Sequence, residues 1–177
     1  MALYHFSAIQ IKRSIGQSAI SSAAYISGRK LHSEYYDEYA DYRRKGGVVH
    51  HEILLPDHAP RKYSDQETLW NAVEFTEKNK RAQLVYAFNI TLQNELSAEE
   101  NHALAVRFIQ EQLVSRGMIA DFAIHDPDRE DDEPNPHFHV LCPIRPLNPD
   151  GTWGAKQHRE YLLDENGERI RDAKGKY

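Results

Sequence analysis

Three histidines and one tyrosine hold most of the chemistry this chain could perform. His137 and His139 stand two apart in NPHFHV (135–140), a run that otherwise reads as a buried strand. Alternate strand positions project to one side, so the two imidazoles share a face, with Phe138 and Val140 on the other. His125 ends a second strand-like run, MIADFAIH, and shares a face with Ala123. A hairpin through 126–136 would set His125 beside His137 at its open end. Neutral imidazole is the commonest metal ligand, and three with an open position suit a catalytic divalent ion. Ten of 177 residues are histidine, so a fortuitous pairing competes with that reading for His137 and His139 alone; the third ring favours the metal. Tyr25, in SAAYISGRK, is one of ten tyrosines and on its own fits packing as well as catalysis. His50 and His51 read as structural or solvent-facing.

These side chains need a scaffold, and the patterning supplies one. Strand alternation is present over 2–12, 48–55, 83–92, 118–125 and 137–144. Small residues and Ala/Ile spacing predict a helix over 17–30, broken near Gly28. SDQE (64–67) and SAEE (97–100) each place serine three residues before glutamate, the capping-box signature of a helix start. They predict helices over 65–81 and 98–116, the second ending at Gly117. The polar, tyrosine-rich segment 32–47 reads as an exposed loop, and DPDREDDEPNP as an acidic turn without a ligand role. The order is strand, helix, strand, helix, strand, helix, strand, strand. That order predicts an α+β fold, a central antiparallel sheet with helices packed on a face. Residues 1–150 are expected to form one domain, and 151–177 to be an irregular segment opening a further, truncated region.

Composition narrows the class. Charged residues are 28% and hydrophobic ones 40%, ordinary for a globular chain. No apolar run approaches the roughly 20 residues that span a bilayer, and the N-terminus lacks signal-peptide organisation, so no membrane insertion is expected. The single cysteine, Cys142, excludes an internal disulfide and fits a reducing cytoplasm. Net charge is -5, yet residues 1–62 carry nine Lys/Arg against six Asp/Glu. The sign asymmetry leaves room for a basic face in the first third.

The chain resembles the relaxase domain of the MobA/MobL family of plasmid mobilisation proteins, within the HUH endonucleases. The resemblance rests on YHF, GQSAISSAAYISGRKL, GVVHHEILLPDHAP, LWNAVEFTEK, AIH, NPHFHV and RPLNPDGTWGAK, in that order. It implies an HUH relaxase/Rep-like fold in the bacterial cytoplasm, acting on single-stranded DNA at an origin of transfer. It also implies relaxosome accessory proteins and a conjugative coupling protein as partners. In the implied reaction a tyrosine attacks the scissile phosphate, leaving a 5′-phosphotyrosine and a free 3′-hydroxyl, and the reverse step rejoins the strand. By the same resemblance the nucleophile is Tyr25 and the metal ligands are His125, His137 and His139. The metal is Mn²⁺ or Mg²⁺, other divalent ions being open. No ATP motif is visible, and transesterification needs none. The family commonly carries carboxylates where this chain has Ala87 and Asn89, which leaves the proton acceptor open. Glu52 is a candidate substitute, equally readable as an exposed strand residue. Lys12, Arg13, Arg29, Lys30, Arg43, Arg44 and Lys45 are the candidate phosphate contacts. Tyr35, Tyr36, Tyr39 and Tyr42 are candidates for stacking on unpaired bases. The rival readings are a weakened origin-binding module, a rolling-circle initiator of the same fold, and a small hydrolase using water.

Overall fold

The computed structural model describes residues 5–126, 135–157, 160–171 and 175. The start of the first expected strand and most of the acidic turn lie outside them. Five strands make one sheet: β1 (Phe6–Lys12), β4 (Val48–Leu54), β5 (Gln83–Thr91), β6 (Ala120–His125) and β7 (His137–Pro143), in the order β1-β5-β7-β6-β4. Every neighbouring pair is antiparallel. β7 and β6, which carry the three histidines, are therefore interior strands.

Helices cover both faces, not one. α1 (Ala19–Ser27) and α2 (Gln66–Thr76) pack on the face formed by Val85, Ala123 and Leu141. α3 (Ala98–Gln112) covers the other, where Ala105 and Ile109 meet Phe122, Phe138 and Val140. The split follows from alternation: β6 is buried along its whole length, and its odd and even residues feed two different cores.

The second capping box forms in full. The Ser97 hydroxyl accepts from Glu100 N at 3.2 Å, and the Glu100 carboxylate accepts from Ser97 N at 2.8 Å. The first does not. Asp65 takes the cap of α2, accepting from Thr68 N at 2.8 Å, and Glu67 is left free to accept from His32 N at 2.7 Å. A carboxylate one residue further on out-competes the serine, because either oxygen can cap a helix start.

The segment 32–47 is not a plain loop. Its first half completes a small hairpin of β2 (Lys30–Ser33) and β3 (Glu38–Asp41), with Leu31 and Ser33 buried against α1 and α2. α1 accordingly stops at Ser27, three residues earlier than expected, with Gly28 in the left-handed conformation at φ 62. The tail folds back. Leu147 bridges Trp153, Trp153 packs on Tyr63 at 5.3 Å, and Arg145 and Lys156 both reach Glu77. A boundary at 150 falls inside this turn.

Candidate active site

Cross-strand register builds the site. His125 lies directly opposite His137, and Ala123 opposite His139, so all three imidazoles emerge on the α1/α2 face. Their ring centres are 4.7–5.4 Å apart, and one nitrogen from each lies within 4.8 Å of the others. Two rings are aimed by backbone carbonyls, which only accept. His125 Nε2 donates to Ile26 O at 2.6 Å, leaving Nδ1 with its lone pair; His137 Nδ1 donates to Asn135 O at 2.8 Å, leaving Nε2. Carbonyl partners of this kind fix the tautomer and orientation of a metal-binding histidine.

Two of the rings, His125 and His139, are held neutral. Burial pushes His125 down to about 4, helped by the nearby Lys45 and His137 charges and opposed by the Ile26 carbonyl. Burial, then His125, His137 and Lys45, pushes His139 down to about 3. An imidazole without its proton is the form that ligates, so the set fits a divalent cation. A further polar group faces the same spot. Asn89 stands opposite His139 in the register, and its buried Oδ1 has no hydrogen-bond partner among the described residues.

Tyr25 arrives from above. α1 lays Ala19, Ile20, Ala23, Ala24, Ile26 and Ser27 against the core and turns Tyr25 outward, 44% exposed. Alanines on the inner face let the helix approach closely, and the Tyr25 ring centre comes to 6.5 Å from that of His139. Lys45 caps the arrangement. Its Nζ sits 3.9 Å over the Tyr25 ring, 3.2 Å from Tyr25 O and 3.2 Å from His125 Nδ1. Burial lowers the Lys45 ammonium from its ordinary value. Tyr42 packs edge-on against Tyr25 at 5.4 Å.

Other assignments fare differently. Glu52 is paired with Phe122 and projects with it to the α3 face, opposite the three histidines; it cannot take a proton from Tyr25. Arg13 is buried, and its guanidinium donates to Glu74 Oε2 at 2.6 Å and to the carbonyls of Glu74, Glu77 and Asn79. No phosphate can reach it. Lys12 ends β1 five residues beyond Ser7, which shares the Asn89–His139 row, so it stands about 17 Å along the sheet from that row. Arg29, Lys30, Arg43 and Arg44 are exposed on the α1–hairpin side. Arg43 already grips Asp41 at 2.7 Å, and Lys30 lies over Tyr39 at 4.2 Å. Tyr35 and Tyr36 pack on each other, with Tyr35 also under Arg13 and beside Phe75.

The structure also shows residues that sequence reasoning passed over. His51 donates from Nε2 to Asp121 Oδ1 at 2.8 Å, and Asp121 Oδ2 accepts from Gln66 Nε2 at 2.8 Å and Trp70 Nε1 at 2.6 Å. Asp121 is fully buried and ties β4, β6 and α2 together beneath α1. An aspartate inside the apolar run MIADFAIH was the available signal, since a buried carboxylate demands donors.

The fold is of the relaxase type. The MobA/MobL family model matches residues 17–177, and the chain belongs to that family. It is 37% identical to the conjugal transfer protein TraA of Agrobacterium fabrum over 99% of this chain and 16% of that one. It is 36% identical to a probable mobilization protein MobA of Bifidobacterium longum, covering 96% and 30% respectively. With the mobilization protein MobL of Acidithiobacillus ferridurans the figures are 38% identity, 88% and 46%. The chain thus spans less than half the length of each of these relatives. A structure solved for the molecular basis of vancomycin resistance transfer in Staphylococcus aureus superposes with a TM-score of 0.81. It is 34% identical and covers 97% of this chain and 81% of that one.

Proposed function

We propose that this chain is a nicking domain that cuts one strand of plasmid DNA at an origin of transfer, with Tyr25 as nucleophile. The carrying observation is the 6.5 Å separation between the Tyr25 and His139 rings above three converging imidazoles. The Tyr25 oxygen bonds to phosphorus as the bond to the 3′-oxygen breaks. The phenolic proton leaves to solvent or a base, and the 3′-oxygen ends as a hydroxyl. The 5′-phosphotyrosine conserves the ester, so the strand can be rejoined without ATP.

His125, His137 and His139 would hold a Mn²⁺ or Mg²⁺ ion, which when bound offsets charge on the non-bridging phosphate oxygens. A phenol of ordinary pKa about 10 is a weak nucleophile at neutral pH. Positioning therefore supplies much of the rate. Lys45 contributes by fixing the Tyr25 ring and adding positive charge where a phosphate approaches. Arg29, Lys30, Arg43 and Arg44 extend that charge along the hairpin, where Tyr39 and Tyr42 offer ring faces to unpaired bases. Relaxosome proteins and a coupling protein are the partners this role requires.

Asn89 supports a second reading. It stands beside His139 where a carboxylate is common in the family, and an amide there accepts no proton, as in a weakened origin-binding module. Overlapping single-stranded oligonucleotides tiling the mobilisation region of the host plasmid, with Mn²⁺ or Mg²⁺, separate the two. The nicking reading predicts a covalent adduct on a denaturing gel that Tyr25→Phe abolishes and His139→Ala strongly reduces. Retention of oligonucleotide without adduct establishes the binding module; cleavage that survives Tyr25→Phe establishes a hydrolase.

A further inference from the structure

A second group of metal-ligating side chains lies on the far face of the sheet. His50 and Glu52 project from β4 toward α3, and His102 comes down from the first turns of α3. His50 Nε2 is 3.2 Å from His102 Nε2 and 3.4 Å from Glu52 Oε2, and the three ligand atoms all fall within 4.8 Å of one another. The His50 ring is held in place by Phe122, 5.6 Å away, and by an edge-on contact with His102 at 4.3 Å.

Hydrogen bonding alone serves these atoms poorly. Nε2 of His50 carries one hydrogen at most, and both neighbours at that atom are potential acceptors. If it donates to Glu52, the His102 lone pair must share the same hydrogen. If it accepts from His102, its own lone pair faces a carboxylate oxygen. A cation among the three takes one lone pair from each of the facing atoms at once. Zinc–nitrogen and zinc–oxygen bonds of about 2.0–2.2 Å at tetrahedral angles put neighbouring ligand atoms about 3.4 Å apart, close to both measured spacings. Two imidazoles and one carboxylate are also a donor set of borderline softness, better suited to Zn²⁺ than to Mg²⁺ or Ca²⁺.

We propose that His50, Glu52 and His102 form a second divalent-cation site, of the zinc class, separate from the three-histidine site on the opposite face. Its fourth position opens onto a cleft of about 540 Å³ lined by His50, His102, Gln93, Asn94 and Leu96. The ion joins an edge strand to the helix that covers it. β4 is hydrogen-bonded to a neighbour on one side only, so a clip to α3 fastens one of the sheet's two edge strands.

Metal-stripped protein titrated with Zn²⁺ alone, against a chromophoric chelator, tests this without DNA. The wild type is expected to take up two equivalents, and His50→Ala/His102→Ala one fewer. His137→Ala/His139→Ala isolates the second site; Zn²⁺ is expected to raise its melting temperature, and Glu52→Gln in that background to weaken binding tenfold or more. A His50→Ala/His102→Ala protein that binds as many equivalents as wild type overturns the proposal. So does a His137→Ala/His139→Ala protein, folded by circular dichroism, whose melting temperature ignores Zn²⁺.

Discussion

Glu74 is the residue whose loss should be felt furthest from its own position. It is fully buried in α2, with one oxygen accepting from Arg13 Nη2 at 2.6 Å and the other from Ala19 N at 2.7 Å. Ala19 is the first residue of α1, so this carboxylate fixes the start of the helix that carries Tyr25. Glu74→Gln preserves shape and removes charge. The amide oxygen can still accept from one of the two donors, but the amide nitrogen then opposes the other. Removing one member of a buried ion pair costs about 3–5 kcal/mol. Because Arg13 keeps its three carbonyl acceptors and glutamine keeps one acceptor, the lower end applies, about 3 kcal/mol. For a chain of this length that is a fall in Tm of about 6–12 °C. Urea denaturation followed by tryptophan fluorescence measures it directly. Arg13→Met/Glu74→Leu is expected to recover part of the loss, since no charge is then stranded, while Ala19 N still lacks its acceptor. A Glu74→Gln loss below about 1 kcal/mol, or a double variant worse than the single, would refute the assignment.

Two further substitutions probe the site. Gly28→Ala forces a side chain into the left-handed region and sets its Cβ 3.2 Å from Val48 Cγ2; a loss of about 1–2 kcal/mol by denaturation is expected, and no change would contradict the backbone described here. Asn89→Asp places a carboxylate opposite His139, and Mn²⁺ binding followed by electron paramagnetic resonance is expected to tighten about tenfold or more, whereas unchanged affinity would mean Asn89 Oδ1 does not face the cation.

The parts of the fold that repeat were legible in the sequence. Alternation located all five strands of the sheet, and the H-x-H spacing with His125 at the hairpin mouth brought three rings together as the register now shows. Glu52 shows why the rest was not. Val48 pairs with His125 on the site face, and two-residue alternation would carry His50 and Glu52 to that face as well. A bulge between Val48 and His50 inserts one extra residue, and every later side chain in β4 changes sides. Nothing in VVHHEIL announces that bulge. Arg13 failed for a similar reason: its basic charge was visible, whereas the buried Glu74 that consumes it is 61 residues away. The hairpin β2–β3 was obscured by its polar tyrosines, which look like loop until the burial of Leu31 and Ser33 is known.

The hydrogen bond between His125 and Ile26 couples two components that textual numbering keeps 99 residues apart. The carbonyl that steers the ring belongs to the closing turn of α1, the helix that carries Tyr25, so donor angle and phenol placement move together. Alanine at 125 removes a candidate ligand and unpins the helix in the same stroke, so any loss of metal binding or activity in that variant would mix the two. Positions 137 and 139, which among the described residues make no hydrogen bond to α1, are the cleaner places to ask what a bound cation alone would contribute.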